Sequence, residues 1–172
     1  MKRKRWYGIT VIVIVCAILG LVLMKRNDKN RAAKWIEINL PAHEEMMYLD
    51  NHGGFHGDGE TVMILTFSKQ ADEKLRERME ASSVWQTFPM TTNLHRCIYG
   101  SKEPAITYVS CVQQTKFPEI TNGYWFFLDR QADEESLDRY RDDQLLSRPS
   151  MNCVAALYDA DTRTLYYWKF DT

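Results

Sequence analysis

Hydrophobic and polar positions divide this chain into one long apolar run and a series of shorter patterned segments. Residues 6–24 form a run of 19 residues without a charged side chain. As a helix this run would be about 28 Å long, close to the thickness of the hydrocarbon core of a bilayer. No small-residue cleavage pattern follows it, so it does not resemble a removable signal peptide. The pattern predicts a single transmembrane helix that acts as a signal-anchor.

After this run the pattern is mostly that of β-strands. Residues 36–40 alternate between apolar and polar side chains, which predicts a half-buried strand ended by Pro41. Residues 94–99 and 106–112 predict a hairpin, and the aromatic run 124–128 predicts a central strand. Further strands are predicted at 61–67, 151–158 and 165–170, the last two as a closing antiparallel hairpin.

One segment between the predicted strands has helical spacing. Ser68 is a suitable N-cap for a helix over residues 69–81, whose apolar stripe is Ala71, Leu75 and Met79. Residues 132–146 are acidic and predict a loop or short helix. The predicted fold is therefore α+β, a mostly antiparallel sheet with one or two helices on one face, over residues 35–172.

Charge is distributed unevenly along the chain, although the formal net charge is only −1. Residues 35–172 contain 13 Lys/Arg and 22 Asp/Glu, which gives this part a formal charge of −9. Such a domain is repelled by phosphate backbones, so we expect no nucleic-acid partner. Basic residues instead flank the apolar run, and 25–34 predict a basic juxtamembrane linker that meets lipid headgroups.

The same basic residues bear on the orientation in the membrane. Four consecutive Lys/Arg residues at positions 2–5 make the N-terminal tail costly to translocate. We therefore expect residues 1–5 to be a cytoplasmic tail and the globular domain to be extracytoplasmic, anchored in the cell membrane by a single pass. The bilayer is then a partner of residues 6–24.

Three cysteines lie outside the apolar run, and none has the spacing of a zinc or redox motif. They are Cys97, Cys111 and Cys153. One disulfide with one free thiol, and three buried thiols that pack as small hydrophobic groups, are both compatible with this pattern.

The candidate functional loop spans residues 50–60. Four of the eight glycines and two of the four histidines of the chain lie within residues 52–59. Imidazole and carboxylate groups bind divalent metals such as zinc, so one hypothesis is a metal site. The competing hypothesis is that the glycines adopt positive φ in tight turns and that the polar side chains bond the loop backbone. The candidate residues are His52, Gly53, Gly54, His56, Gly57, Asp58 and Glu60, with His52, His56 and Asp58 as candidate metal ligands.

No other complete catalytic pattern is present. The chain has neither a serine elbow nor a glycine-rich phosphate loop, and its cysteines have no motif partner. Aromatic side chains could line a carbohydrate or peptide groove, but core packing explains them as well. These are Trp35, Trp85, Trp125, Trp168, Tyr124, Tyr166 and Tyr167.

Three motifs together carry a resemblance to a known group of proteins. They are the loop at residues 52–59, the run Gly123–Phe127 with Asp129 and Arg130, and the C-terminal segment 158–172. These motifs resemble a group of small membrane-anchored proteins of Gram-positive bacteria. The resemblance implies a bacterial cell-envelope protein and carries over neither an activity nor a catalytic residue.

Two hypotheses about function follow. The first is a membrane-anchored binding or interaction module that recognises a protein or cell-wall partner without a cofactor and without catalysis. The second is a metal-assisted hydrolase that uses the loop from His52 to Glu60. If the protein does chemistry, we expect it at this loop, on the membrane-distal side of the anchored domain.

Overall fold

The structure, a computed structural model, describes Ile14, Gly20 and residues 27–53, 57–104, 106–132 and 137–172. Helices within these residues are α1 (27–35), α2 (Lys69–Glu80), α3 (Thr92–Tyr99) and a 3-10 helix at Leu137–Tyr140. The strands are β1 (Glu45–Asp50), β2 (Gly59–Thr66), β3 (Gln86–Thr87), β4 (Ser101–Lys102), β5 (Thr107–Tyr108), β6 (Gly123–Asp129), β7 (Cys153–Asp159) and β8 (Thr164–Asp171).

Six of these strands form one sheet in the order β1-β2-β8-β7-β6-β3, and every neighbouring pair is antiparallel. The strands β4 and β5 form a separate antiparallel pair. The prediction of an α+β domain with a mostly antiparallel sheet is confirmed. The predicted closing hairpin is β7 and β8, and the predicted aromatic strand is β6, which lies one position from the edge of the sheet.

Both faces of the central strands are buried. Along β7, Val154, Ala156 and Tyr158 belong to the core on one side, while Ala155 and Leu157 belong to the core on the other side. A strand whose successive residues are all apolar must be covered on both faces. Accordingly, α1 and α2 pack on one face, and α3 with the segment 112–120 packs on the other. The prediction that helices lie on one face only is wrong for this reason.

The helix α2 forms where the sequence predicts it. The Ser68 side chain accepts a hydrogen bond from the Ala71 amide at 3.3 Å and so caps the first turn. Ala71, Leu75 and Met79 are buried against the sheet, as their spacing predicts. Helix and stripe are both confirmed.

The helix α3 occupies the segment predicted as a strand at residues 94–99. Its buried residues Leu94, Cys97 and Ile98 follow the i, i+3, i+4 spacing of a helix face. Thr91 caps its first turn through a 3.2 Å bond from the Leu94 amide, and Gly100 ends it with φ 75°. The predicted hairpin partner is reduced to the short strand β5.

The strand predicted at residues 36–40 is also absent. The amides of Ile36 and Ile38 donate to the carbonyls of Ala32 and Ala33, which continues the turns of α1. Both isoleucines are nevertheless buried, together with Ala32. The indole N–H of Trp85 donates to the Ile36 carbonyl at 2.9 Å. Residues 27–35, mostly within the predicted linker, are therefore helical and packed on the domain.

Within the described residues, no helix is long and apolar enough to span a bilayer. The predicted transmembrane run at residues 6–24 lies outside these residues apart from Ile14 and Gly20, which are both helical. Residues 1–5 are outside them as well.

A buried hydrogen bond fastens α2 to the sheet, and its removal is a test of the fold. The Tyr158 hydroxyl donates to Asp72 at 2.6 Å, and Asp72 is only 6% exposed. We expect Tyr158→Phe to lower the free energy of unfolding by about 1–3 kcal/mol, because it removes a donor from a buried carboxylate. Thermal denaturation of the full chain in detergent, followed by circular dichroism, measures this change.

The matched control is Tyr124→Phe, since the Tyr124 hydroxyl donates to Glu80 at 2.5 Å in an exposed bond. Its removal should change the free energy of unfolding by less than about 0.5 kcal/mol. Equal losses in the two variants would contradict the assigned role of the buried bond.

Candidate functional site

The loop of residues 50–60 closes the hairpin between β1 and β2. The Asn51 amide donates to the Glu60 carbonyl at 3.1 Å, and the Glu60 amide donates to the Asn51 side chain at 2.6 Å. Gly57 and Gly59 adopt positive φ of 72° and 152°. Two of the loop glycines therefore serve the backbone, as the structural hypothesis expects. Gly54 and His56 lie outside the described residues.

Gly59 is also required by its surroundings. A Cβ at this position would lie 2.7 Å from the Cα of His52 and 2.8 Å from its backbone nitrogen. At Gly57 a Cβ would have no neighbour within 4 Å among the described residues. Gly59 thus allows the backbone of His52 to lie directly against the start of β2.

His52 joins two distant strands through its imidazole. Its Nε2 lies 2.8 Å from Asp171 Oδ2 at the end of β8, and its Nδ1 lies 2.6 Å from Asp50 Oδ1 at the end of β1. The His52 amide also donates to Asp50 at 3.1 Å. Both ring nitrogens face carboxylate oxygens, so the doubly protonated ring would donate to each of them.

Asp171 contacts three other polar side chains at this end of the sheet. It accepts hydrogen bonds from Arg130 and Lys169 in addition to the contact with His52. Burial by itself would raise the pKa of Asp171, but the bonds from Lys169, Arg130 and His52 together lower it. The guanidinium of Arg130 also stacks on the Trp35 ring, 4.7 Å from its centroid.

Asp50 has a similar environment at the end of β1. Burial opposes its ionisation, but hydrogen bonds from the His52 ring, the His52 amide and the Tyr48 hydroxyl lower the pKa of Asp50 overall. Tyr48 donates to Asp50 at 3.1 Å. Its own pKa is raised to about 12 by burial and by this carboxylate.

Several of these groups line a cleft of about 260 Å³ between α1 and the strands β1, β2 and β8, while Asp171 and Arg130 lie outside its lining. Asp28, Arg31 and Trp35 form its α1 wall. The loop therefore lies beside the first turns of α1. The expectation that it lies on the membrane-distal side depends on the placement of residues 6–24, which lie outside the described residues apart from Ile14 and Gly20, and it stays a prediction. The remaining lining residues are Ala32, Tyr48, Asp50, His52, Thr61, Met63, Tyr167 and Lys169.

Glu60 is separated from His52 by the sheet itself. Successive residues of β2 point to opposite faces, so Thr61 lines the cleft while Glu60 points to the other core. Glu60 is 2% exposed and accepts from the amides of Gln113 and Gln114 at 3.0 and 2.6 Å. The Trp168 indole donates to it at 2.8 Å. Glu60 is thus a buried anchor for the segment 113–114.

Asp58 is exposed in the loop. Within the described part of the chain, no three or more His, Cys, Asp or Glu side chains are arranged to hold a metal ion. His56, one of the three candidate ligands, falls outside that part. The hypothesis of a zinc site therefore stays a prediction, and a metal at His52 would have to replace one of its carboxylate contacts.

Most of the aromatic side chains belong to the core. Trp85, Trp125, Trp168 and Tyr167 are each at most 6% exposed. The indole N–H of Trp125 donates to the Thr87 carbonyl at 3.0 Å, and those of Trp85 and Trp168 are also bonded. Trp35, at 36% exposed, is the tryptophan that reaches the cleft.

The sequence predicts no functional role for Lys169 of this cleft or for its neighbours Arg130 and Asp171. Arg130 and Asp171 belong to the motifs that carry the resemblance, and Lys169 has no motif of its own. The available signal was their position at the ends of predicted strands, where side chains from different strands meet at one edge of a sheet.

The fold and the site define an α+β domain with a charged cleft beside its first helix. Comparisons of the chain with models of known protein families, with curated proteins and with solved structures gave no match. The cleft is therefore interpreted from its own chemistry.

The two loop glycines with positive φ, Gly57 and Gly59, provide a test of the loop geometry. We expect Gly59→Ala to lower the free energy of unfolding by about 2–4 kcal/mol, because strained φ and a backbone clash act together. Gly57→Ala should cost about 1 kcal/mol, since only φ is unfavourable there. Thermal denaturation of both variants measures the difference, and a larger loss for Gly57→Ala would contradict this geometry.

The two carboxylates that contact His52 make the stability of the fold depend on acid pH. Asp171 and Asp50 have lowered folded pKa values, so their contribution is complete above the unfolded pKa of about 4 and is lost as pH falls below it. Asp171→Asn should lower the Tm at pH 7 by about 3–8 °C. Between roughly pH 5 and pH 2.5, a range that spans this titration, Asp171→Asn should also lose less stability than the wild type.

The measurement is the Tm of the full chain as a function of pH. The exposed Asp58→Asn is the matched control and should follow the wild-type curve. If the curve of Asp171→Asn runs parallel to that of the wild type throughout, Asp171 does not account for the acid sensitivity.

Proposed function

We propose that this chain is a single-pass, membrane-anchored binding module of the bacterial cell envelope. Residues 6–24 would form the transmembrane helix, with residues 1–5 in the cytoplasm and the acidic domain outside. The uncharged apolar run, the helical state of Ile14 and Gly20, and the resemblance to membrane-anchored proteins support this proposal.

The packing of α1 bears on where such a module would bind. Ala32 and Ile36 are buried in the core, so α1 is fixed to the domain rather than being a free tether. Asp28 follows Met24 by four positions, which is a rise of about 6 Å in a helix. The cleft would therefore face the layer just outside the bilayer, among headgroups and the wall material above them.

The observation that carries the proposal is the pairing of opposite charges at this cleft. Arg31 pairs with Asp28, and the lining residue Lys169 pairs with Asp171 beside the cleft. Asp28, Lys169 and Asp171 have side chains at most 20% exposed, whereas Arg31 is 62% exposed. A ligand with one charge would leave a displaced partner without its counterion, which is costly where that partner is partly buried. A ligand that carries both charges can replace both partners. We infer that the cleft binds a peptide-like group of a protein or cell-wall partner.

Catalysis is less well supported than binding. Both nitrogens of His52 are engaged by carboxylates, and Glu60 faces the opposite core. The alternative, a metal-assisted hydrolase built on the loop from His52 to Glu60, has no observation in its favour within the described residues. Measurement of the metal bound to the purified protein tests this alternative directly.

Site-specific photocrosslinking in living cells tests the binding proposal. A benzophenone amino acid replaces Trp35 at the cleft in the full chain, and a second chain carries it at Ile106, outside the cleft. We expect a discrete adduct with a protein or wall fragment from the first position only. Asp28→Asn and Arg31→Gln should each reduce it several-fold, because each removes one charge of the pair.

Arg141→Gln is the matched control, since Arg141 forms an exposed pair with Asp143 away from α1. It should leave the adduct unchanged. No adduct at Trp35, or an adduct insensitive to both Asp28→Asn and Arg31→Gln, would overturn the proposal. About one equivalent of metal in the purified full chain, lost in both His52→Ala and Asp58→Ala, would support the hydrolase instead.

A further inference from the structure

The three cysteines of the domain meet on the sheet face that α3 covers. Cys97 lies on α3 and Cys153 at the start of β7, and both are buried. Cys111 is half-buried in the segment that follows β5. All three are free thiols in the structure. Cys111 is therefore the thiol of this cluster most open to a reagent from solvent.

Backbone contacts bring Cys111 directly against Cys97. The Cys111 amide donates to the Cys97 carbonyl at 2.8 Å. A backbone hydrogen bond between two residues keeps their Cα atoms within the range of roughly 4.4–6.8 Å that a disulfide spans. The pair therefore needs no large backbone movement to be joined.

Residues next to Cys97 and Cys111 keep the same two chain segments close together. The Ser110 hydroxyl donates to the Ile98 carbonyl at 2.5 Å, one residue along on each side. A Cβ on Gly100 would lie 2.7 Å from the Tyr108 carbonyl oxygen, so glycine permits this contact at the end of α3. Cys97 and Cys111 are thus held together by the fold and not by a chance side-chain orientation.

We infer that Cys97 and Cys111 form an oxidisable pair that closes an intramolecular disulfide, while Cys153 stays reduced. Cys153 is fixed within the sheet, in register with Asp129 and Phe170. Its thiol is buried, so an external reagent reaches Cys111 first.

The chemistry follows from the interaction of the two thiols. The Cys97 thiol lowers the pKa of Cys111 against the effect of burial. The pKa of Cys97 is raised by the same contact and by burial, and burial also raises the pKa of Cys153. Cys111 is therefore the attacking thiolate, and Cys97 is the resolving thiol.

The oxidant is a disulfide of a small thiol, and the exchange balances in two steps. The Cys111 thiolate attacks one sulfur of that disulfide, forms a mixed disulfide and releases one small thiolate. Cys97 then loses its proton, attacks the Cys111 sulfur and displaces the second small thiolate. Two protein thiols are oxidised by two electrons, and one external disulfide is reduced to two thiols.

The disulfide would close a ring that contains the β4–β5 pair. It would also secure the start of the segment whose Gln113 and Gln114 amides bind Glu60. The closed ring lowers the entropy of the unfolded chain, which stabilises the fold. This inference does not depend on the proposed membrane orientation or ligand.

Oxidation of the purified full chain by oxidised glutathione tests this inference. All samples carry Cys16→Ala, because Cys16 is the fourth cysteine of the chain and lies outside the cluster. We expect an intact mass lower by two hydrogens, a Cys97–Cys111 crosslink in peptide maps, and a free Cys153. The Tm should rise by about 6–12 °C on oxidation and return on reduction.

Two variants serve as controls in the same background. Cys153→Ala should still form the crosslink and show the rise in Tm. Cys111→Ser should show neither, with Cys97 left as a thiol. A crosslink to Cys153, glutathione retained on Cys111, or an unchanged Tm after complete crosslinking would each overturn the inference.

Discussion

The structure depends on the apolar character of both faces of β7 and its neighbours. Tyr158 and Trp168 are fully buried on opposite faces, in different core clusters. Exposure of either face would leave aromatic and aliphatic area in water, which costs roughly 25 cal/mol per Å². Two covering layers are therefore required. They are α1 with α2 on one face, and α3 with the segment 112–120 on the other.

Each covering layer is attached to the rest of the domain by the hydrogen bond of a polar group. These groups are buried, so they need a hydrogen-bond partner within the protein. The Tyr158 hydroxyl binds Asp72 of α2, and the Trp85 indole binds the Ile36 carbonyl after α1. Asp142 is 5% exposed and accepts the Leu94 amide at 2.8 Å, which caps α3 from a distant segment. An unpaired buried polar group costs about 1–3 kcal/mol, so these bonds fix the place of each layer.

The cleft is a consequence of the same arrangement. The first turns of α1 lie beside the β1–β2 hairpin. Charged residues at the ends of the strands meet charged residues of the helix there. His52 contacts both Asp50 and Asp171, so one imidazole links the hairpin to the last strand. The glycine loop serves this contact, since Gly59 lets the His52 backbone lie against β2. Gly59 and His52 thus share one role, the construction of this charged cleft.

Sequence periodicity correctly predicted the elements whose local pattern has only one interpretation. The helix α2 has a cap and a regular stripe, β2, β6 and β8 are rich in β-branched and aromatic residues, and β7 is a short, mostly apolar run. It failed for α3, which is eight residues long and whose apolar positions fit a short strand as well as a helix face. Periodicity also missed the packing of α1, since a basic segment after a long apolar run gives no local sign of its contacts.

The sequence by itself determined the antiparallel α+β class, the position of the glycine loop and the acidic charge of the domain. The tertiary structure alone decided which side of the sheet each loop residue serves and which charges meet. His52 and Asp171 are 119 residues apart in sequence, and Glu60 points away from His52 although only eight positions separate them. Local patterns record the preferences of neighbouring residues, whereas strand order and register determine which distant side chains come together.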